Sequence, residues 1–98
     1  MKDLTNLKTY IIDSEDPHEV DDAISLEIKD GNKINLWIHI SNPCKHFLHD
    51  SNVDLDARKR NSSLYLIDQY VPMLHNDILE KANLAQNKIS ETISAAIE

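Results

Sequence analysis

Thr9-Tyr10-Ile11-Ile12-Asp13-Ser14-Glu15-Asp16-Pro17-His18-Glu19-Val20-Asp21-Asp22-Ala23-Ile24-Ser25-Leu26-Glu27-Ile28 holds six carboxylates in the ten residues from Asp13 to Asp22, between two stretches rich in β-branched and apolar side chains. Like charges this close repel and raise one another's pKa values, so a compact fold tolerates them best where a cation, usually a metal, sits among them. A solvated acidic loop is the plain alternative for any charge run. The flanks argue against it, because they anchor the acids between two sheet strands.

Asp13 closes the first strand and Asp21-Asp22 open the second, which lets the loop gather carboxylates from both ends around one point. Carboxylate oxygens suit hard cations, and Mg²⁺ is usually held by one or two protein carboxylates together with phosphates and water. Carboxylates holding one or two such ions can activate water and stabilise a leaving oxygen in phosphodiester hydrolysis. A calcium-binding EF-hand does not fit: no Gly stands at the sixth loop position and no helices flank the run.

The stretch from Ile12 through Glu27 resembles the signature of the ribonuclease II/ribonuclease R family catalytic domain, the RNB domain, which reads ID, several polar residues, then DxDDA. Leu36-Trp37-Ile38-His39-Ile40 is similar to that family's "VHIAD" strand, and Val53-Asp54-Leu55-Asp56-Ala57-Arg58-Lys59-Arg60 to its "LDxEAxxR" helix. Ser62-Ser63-Leu64-Tyr65-Leu66 resembles "TSVYL", Val71-Pro72-Met73-Leu74 resembles "IPMLP", and Ala82-Asn83-Leu84 falls where the family has "CSL". The motifs follow in the family's order and spacing across nearly the whole chain. The opening Asp3-Leu4-Thr5-Asn6-Leu7 is most similar to the cyanobacterial and plastid branch.

The resemblance implies an Mg²⁺-dependent 3′-to-5′ exoribonuclease, with Mn²⁺ as a possible substitute, that hydrolyses single-stranded RNA to nucleoside 5′-monophosphates. It places the family's four active-site acids on Asp13, Glu19, Asp21 and Asp22. Asp13 and Asp22 would be the direct metal ligands, and Asp21 would position the attacking water or the terminal nucleotide. Glu19 stands where most relatives have Asp, and its extra methylene can move a ligand enough to cost catalytic power. Asp16 matches an acid of many relatives and reads as structural or solvated. Tyr65 matches the tyrosine that packs against the last nucleotide at the RNA 3′ end, a contact that tolerates any base. Asn42 replaces the Asp that follows the "VHIA" strand. The expected fold is α+β, a partial RNB-type domain of mainly antiparallel strands with one or two short helices.

The chain corresponds to about the opening third of that catalytic domain, so residues 1–98 read as its truncated N-terminal portion, without the family's cold-shock and S1 domains or its later arginine. The alternative is a non-catalytic module derived from the same domain that binds metal or RNA or serves as a scaffold.

Composition sets limits. A net charge of −7, with only ten Lys and Arg, disfavours simple electrostatic binding of nucleic acid, and Lys45, Arg58, Lys59 and Arg60 form the one basic cluster. RNA binding by this chain alone is therefore expected to be weak; the resemblance implies single-stranded RNA as a partner through the complete domain, with neither DNA nor membrane. The single Cys excludes an internal disulfide framework, and without a signal peptide or long apolar run the expected location is cytoplasmic. Cys44 reads as a small buried or semi-buried residue and Trp37 and Phe47 as core, although alternation puts Trp37 on the face opposite Leu36 and Ile38, which allows it partial exposure. His18, His39, His46, His49 and His75 are scattered, without zinc spacing.

Strands are expected at about residues 8–12, 22–29 and 33–40, the last two joined through Asp30-Gly31-Asn32. Helices are expected over Asp54–Arg60 and Asn76–Ala82, with a short strand at about 62–66 between them. The tail allows two readings. Ile89, Ile93, Ala96 and Ile97 fit helical spacing, which local preference favours, whereas the family has a strand there.

Overall fold

The computed structural model describes residues 2–12 and 19–98. Two compact units make up the chain: one runs through Asn42 and resumes at Asn83, and the other is Pro43–Ala82.

The first unit is an antiparallel sheet in the order β1, β2, β3, β6, built from β1 (Thr9–Tyr10), β2 (Asp22–Lys29), β3 (Lys33–Ser41) and β6 (Thr92–Ile97). The β2–β3 hairpin turns through Asp30–Asn32, with Lys29 opposite Lys33. Gly31 at φ +76° supplies the left-handed backbone this tight reversal needs. The tail is a strand and not a helix: β6 pairs along β3 from Leu36↔Ile97 to Ser41↔Thr92. Its helical spacing is a weak local preference, and an unpaired β3 edge offers a row of backbone hydrogen bonds that outweighs it.

Alternation along the strands sorts the side chains onto two faces. The buried face is largely polar, with Ala23, Ser25, Asn35, His39 and Ser41 all sequestered and Trp37 half-buried. The opposite face is apolar and open, and Leu26, Ile28, Ile34, Ile40, Ile93 and Ile97 all stand on it exposed. Burying polar groups costs free energy unless they are hydrogen-bonded, and here they are. Thr9 Oγ1 lies 2.8 Å from Ser25 Oγ, which lies 2.8 Å from His39 Nε2. His39 Nδ1 is 2.8 Å from Ser94 Oγ, and Ser94 reaches Thr92 Oγ1 at 2.6 Å. One side-chain relay thus crosses all four strands. Nearby, the Trp37 indole donates to Glu27 Oε1 at 3.1 Å, and that bond is the main reason the Glu27 carboxyl titrates below its ordinary value.

The second unit holds α1 (Asn52–Arg60), a two-stranded hairpin of β4 (Leu64–Tyr65) and β5 (Tyr70–Val71), and α2 (Asn76–Ala82). Ser51 caps α1 by accepting the Asp54 amide at 3.3 Å, and Asp54 Oδ2 in turn accepts the Asp50 amide at 2.7 Å. Asn61 closes α1 in the left-handed region, φ 71°, with its N–H donating to the Ala57 carbonyl. Ala57, Ile78, Leu79 and Ala82 are this unit's buried apolar residues. The α+β architecture follows the expectation, with β5 an added strand.

Candidate functional site

Glu19, Val20, Asp21 and Asp22 lead into β2, and their backbone is held from two sides. The Ser41 N–H donates to the Asp21 carbonyl at 2.7 Å, which ties the acids to the end of β3. On the other side the Val20 N–H donates to Asn83 Oδ1 at 3.3 Å, and the Leu84 N–H donates to the Val20 carbonyl at 3.0 Å. Lys88 adds a bond from Nζ to the Asn83 carbonyl at 3.0 Å. The short segments at Ser41 and Asn83-Leu84 thus fix where three carboxylates begin. Glu19 is half-buried, while Asp21 and Asp22 are exposed. Asp13 lies outside the described residues, as do Asp16 and His18, so the expected convergence of both loop ends is not part of this geometry. The carboxylates of Glu19, Asp21 and Asp22 are hard oxygen donors, the type that Mg²⁺ and Mn²⁺ take, but the described structure does not bring all three within 4.8 Å of one another.

Tyr65 belongs to the second unit. It stands on β4 directly opposite Tyr70 of β5, 63% exposed, with ring centroids 5.1 Å apart and planes tilted by 36°. The hairpin is closed by the Leu66 N–H donating to the Gln69 carbonyl at 2.7 Å. At its base, Ser63 Oγ accepts the Met73 amide at 2.9 Å and Arg60 Nη1 donates to the Pro72 carbonyl at 2.9 Å. An exposed aromatic on a braced hairpin is suited to stacking.

His49, Asp50 and Asp54 form the group among the described residues whose ligand atoms lie close enough, within 4.8 Å, to hold an ion. Arg58 already fills that role. Its Nη2 lies 2.7 Å from Asp54, 3.1 Å from Asp50 and 3.0 Å from His49 Nδ1. The Asp50 amide, followed by Arg58, holds the Asp54 carboxyl below the usual carboxylate range. Arg60 is likewise paired with Asp56 at 3.1 Å, so the basic cluster is partly neutralised by its own helix.

Several single-residue expectations need adjusting. Cys44 is exposed rather than buried, because the tight turn Pro43–His46 carries it to the surface. Phe47 is half-buried rather than core, and Trp37 is half-buried on the face opposite Leu36 and Ile38, as its place in the alternation allows. His39 is the buried histidine among the described residues, and desolvation holds its ring below the ordinary value of 6.5. Asn42, half-buried, follows β3 as expected. Sequence reasoning missed Asn83 as the acceptor for Val20. Its place in the "CSL"-like motif was the signal available.

The profile of the RNB domain matches residues 1–98. The chain belongs to the RNB domain family. It is similar to the chloroplastic/mitochondrial ribonuclease II of Arabidopsis thaliana, 33% identical over 97% of this chain and 12% of that protein. It is also similar to an uncharacterized ribonuclease of Synechocystis, 47% identical over 65% of this chain and 10% of that protein. This RNB chain therefore spans about a tenth of the length of these relatives. Among solved structures, an active-site mutant of the Dss1 exoribonuclease of Candida glabrata superposes with a TM-score of 0.82, at 35% identity, covering 90% of this chain and 13% of that one. Yeast Ssd1, described as a pseudonuclease, gives 0.80 at 26% identity, covering 96% and 12%. Mycoplasma genitalium RNase R in complex with ribose-methylated single-stranded RNA gives 0.85 at 23% identity, covering 96% and 15%, a likeness of fold.

Proposed function

We propose that this chain contributes the acidic site of a 3′-to-5′ exoribonuclease acting on single-stranded RNA in the cytoplasm, and that it forms the N-terminal portion of an RNB catalytic domain. The observation that carries the reading is the pinned acidic segment. Glu19, Asp21 and Asp22 head a strand whose start is fixed by Ser41, Asn83 and Leu84, in a chain matched end to end by the RNB domain.

Asp13 and Asp22 would hold Mg²⁺, or Mn²⁺ in its place, and a bound divalent ion would supply Lewis-acid activation of water and charge stabilisation at the phosphate. Asp21 orients the attacking water or the terminal nucleotide. Tyr65 stacks on the terminal base. Because Arg58 and Arg60 are engaged by neighbouring carboxylates, this chain offers little cationic surface of its own for the RNA backbone.

A second reading is a non-catalytic RNA-binding or scaffold module. Glu19 in place of Asp favours it, as does the likeness to a protein described as a pseudonuclease.

A chimera separates the two. Residues 2–98 are exchanged for the matching segment of the Arabidopsis ribonuclease II and assayed with labelled single-stranded RNA and Mg²⁺. Stepwise 3′ shortening that disappears in Asp21→Asn is the expected result, and a chimera that binds RNA without shortening it would establish the non-catalytic module. The 98-residue chain assayed alone should leave the RNA intact.

A further inference from the structure

Tyr70 stands between two features of the second unit. On one side its ring lies 5.1 Å from that of Tyr65. It also lines a recess of about 440 Å³ together with Arg60, Pro72, Leu74, His75 and Asn76. A space of that size is within the range of small-molecule sites, and its lining is chemically mixed. Tyr70, Pro72 and Leu74 offer flat or apolar surface, whereas Arg60, His75 and Asn76 offer donors and acceptors.

From this we infer that the recess is a second nucleotide subsite, with Tyr70 as the wall it shares with the stacking surface of Tyr65. The inference rests on the stacking role proposed above for Tyr65. Cross-strand pairing of Tyr65 with Tyr70 puts both rings on one face of the hairpin. Their 36° tilt leaves them as two distinct surfaces rather than one stacked block. A base lying on Tyr65 therefore has, one residue away across the strands, a second aromatic edge and a cavity for its neighbour.

The recess is braced. Arg60 is fixed through Nη1 to the Pro72 carbonyl and through Nε to Asp56, and His75 Nδ1 accepts the Asp77 amide at 3.3 Å. With its charge shared with Asp56, Arg60 adds a directional contact more than a long-range attraction. The subsite would thus recognise a nucleotide by stacking and polar contact, with a shallow dependence on salt.

The test is an NMR titration of the 98-residue chain with adenosine 5′-monophosphate and, separately, with the ribodinucleotide adenylyl-adenosine. The dinucleotide should bind about fivefold or more tightly than the mononucleotide, the gain expected for one more stacked base. Tyr70→Val keeps a strand-forming residue and should cut that advantage to below about twofold. Tyr70→Phe should preserve it, and His75→Ala, from the opposite wall, should reduce it. Full dinucleotide advantage in Tyr70→Val, with Tyr65→Ala still weakening the mononucleotide, overturns the subsite alone. Mononucleotide affinity indifferent to Tyr65→Ala overturns the stacking role and the subsite with it, as does no binding of either ligand at ~10 mM.

Discussion

Leu84 donates its backbone N–H to the carbonyl of Val20 at 3.0 Å, and the neighbouring Asn83 side chain accepts the N–H of that same Val20. Both backbone polar groups of one residue in the acidic segment are therefore met by two consecutive residues far along the chain. Asn83→Ala removes the acceptor for the Val20 amide and should cost about 1 kcal/mol. Hydrogen exchange at Val20 should accelerate by about fivefold while the Ser41 amide, bonded to Asp21, stays protected. Equal protection of both amides in the variant would show that Asn83 contributes nothing to the pin.

Glu19 carries the longer acid at a backbone position fixed by the same contacts. In the chimeric ribonuclease, Glu19→Asp should raise activity or tighten Mg²⁺ dependence several-fold if the extra methylene misplaces a ligand. Unchanged kinetics would mean that the segment has adjusted around Glu, and a fall would mean that the site requires it.

His39 is neutral in its buried relay. Its folded pKa lies below the ordinary 6.5 because burial disfavours the imidazolium. The sign follows: between the folded value and 6.5 the unfolded chain binds more protons, so stability is full above about pH 6.5 and declines as the pH falls below it. Urea midpoints at pH 7.5 and pH 5.5 should differ in that direction, and His39→Gln should flatten the His-dependent part of the difference. His39→Ala leaves Ser25 and Ser94 without their shared partner and should cost about 2 kcal/mol or more at neutral pH.

Ser51→Ala should lower stability by about 1 kcal/mol through the loss of the α1 cap. Thermal unfolding followed by helix signal is the measurement. A shift confined to the sheet would contradict it.

The hairpin of β2 and β3 was readable because alternating apolar residues flank a Gly-containing turn, and α2 spans its expected range, Asn76–Ala82, with His75 rather than Asn76 or Asp77 meeting its first amides. The tail was not. Thr92–Ile97 has weak helical spacing of its own, and its strand conformation depends on β3, a partner far away in sequence that no local pattern names. The acids of the site stand out as a charge run and a family motif, but what holds them, Asn83 and Ser41, does so through backbone bonds that leave little trace in residue type. Tyr65 was legible through its motif alone, and Tyr70 only once the register placed it opposite.

Thr9, Ser25, His39 and Ser94, one from each of the four strands, are joined in the observed alignment, and Thr92 extends the chain along β6. A slip of β6 by one residue along β3 would turn Ser94 to the opposite face and strand His39 among groups it cannot bond. Hydrophobic contacts are forgiving of such an error, since one isoleucine substitutes for the next. A chain of hydrogen bonds is not, and the misaligned sheet would carry buried polar groups costing about 1–3 kcal/mol each. The relay therefore works as a proofreading device for strand assembly, rejecting the near-miss pairings that an all-apolar interior would accept.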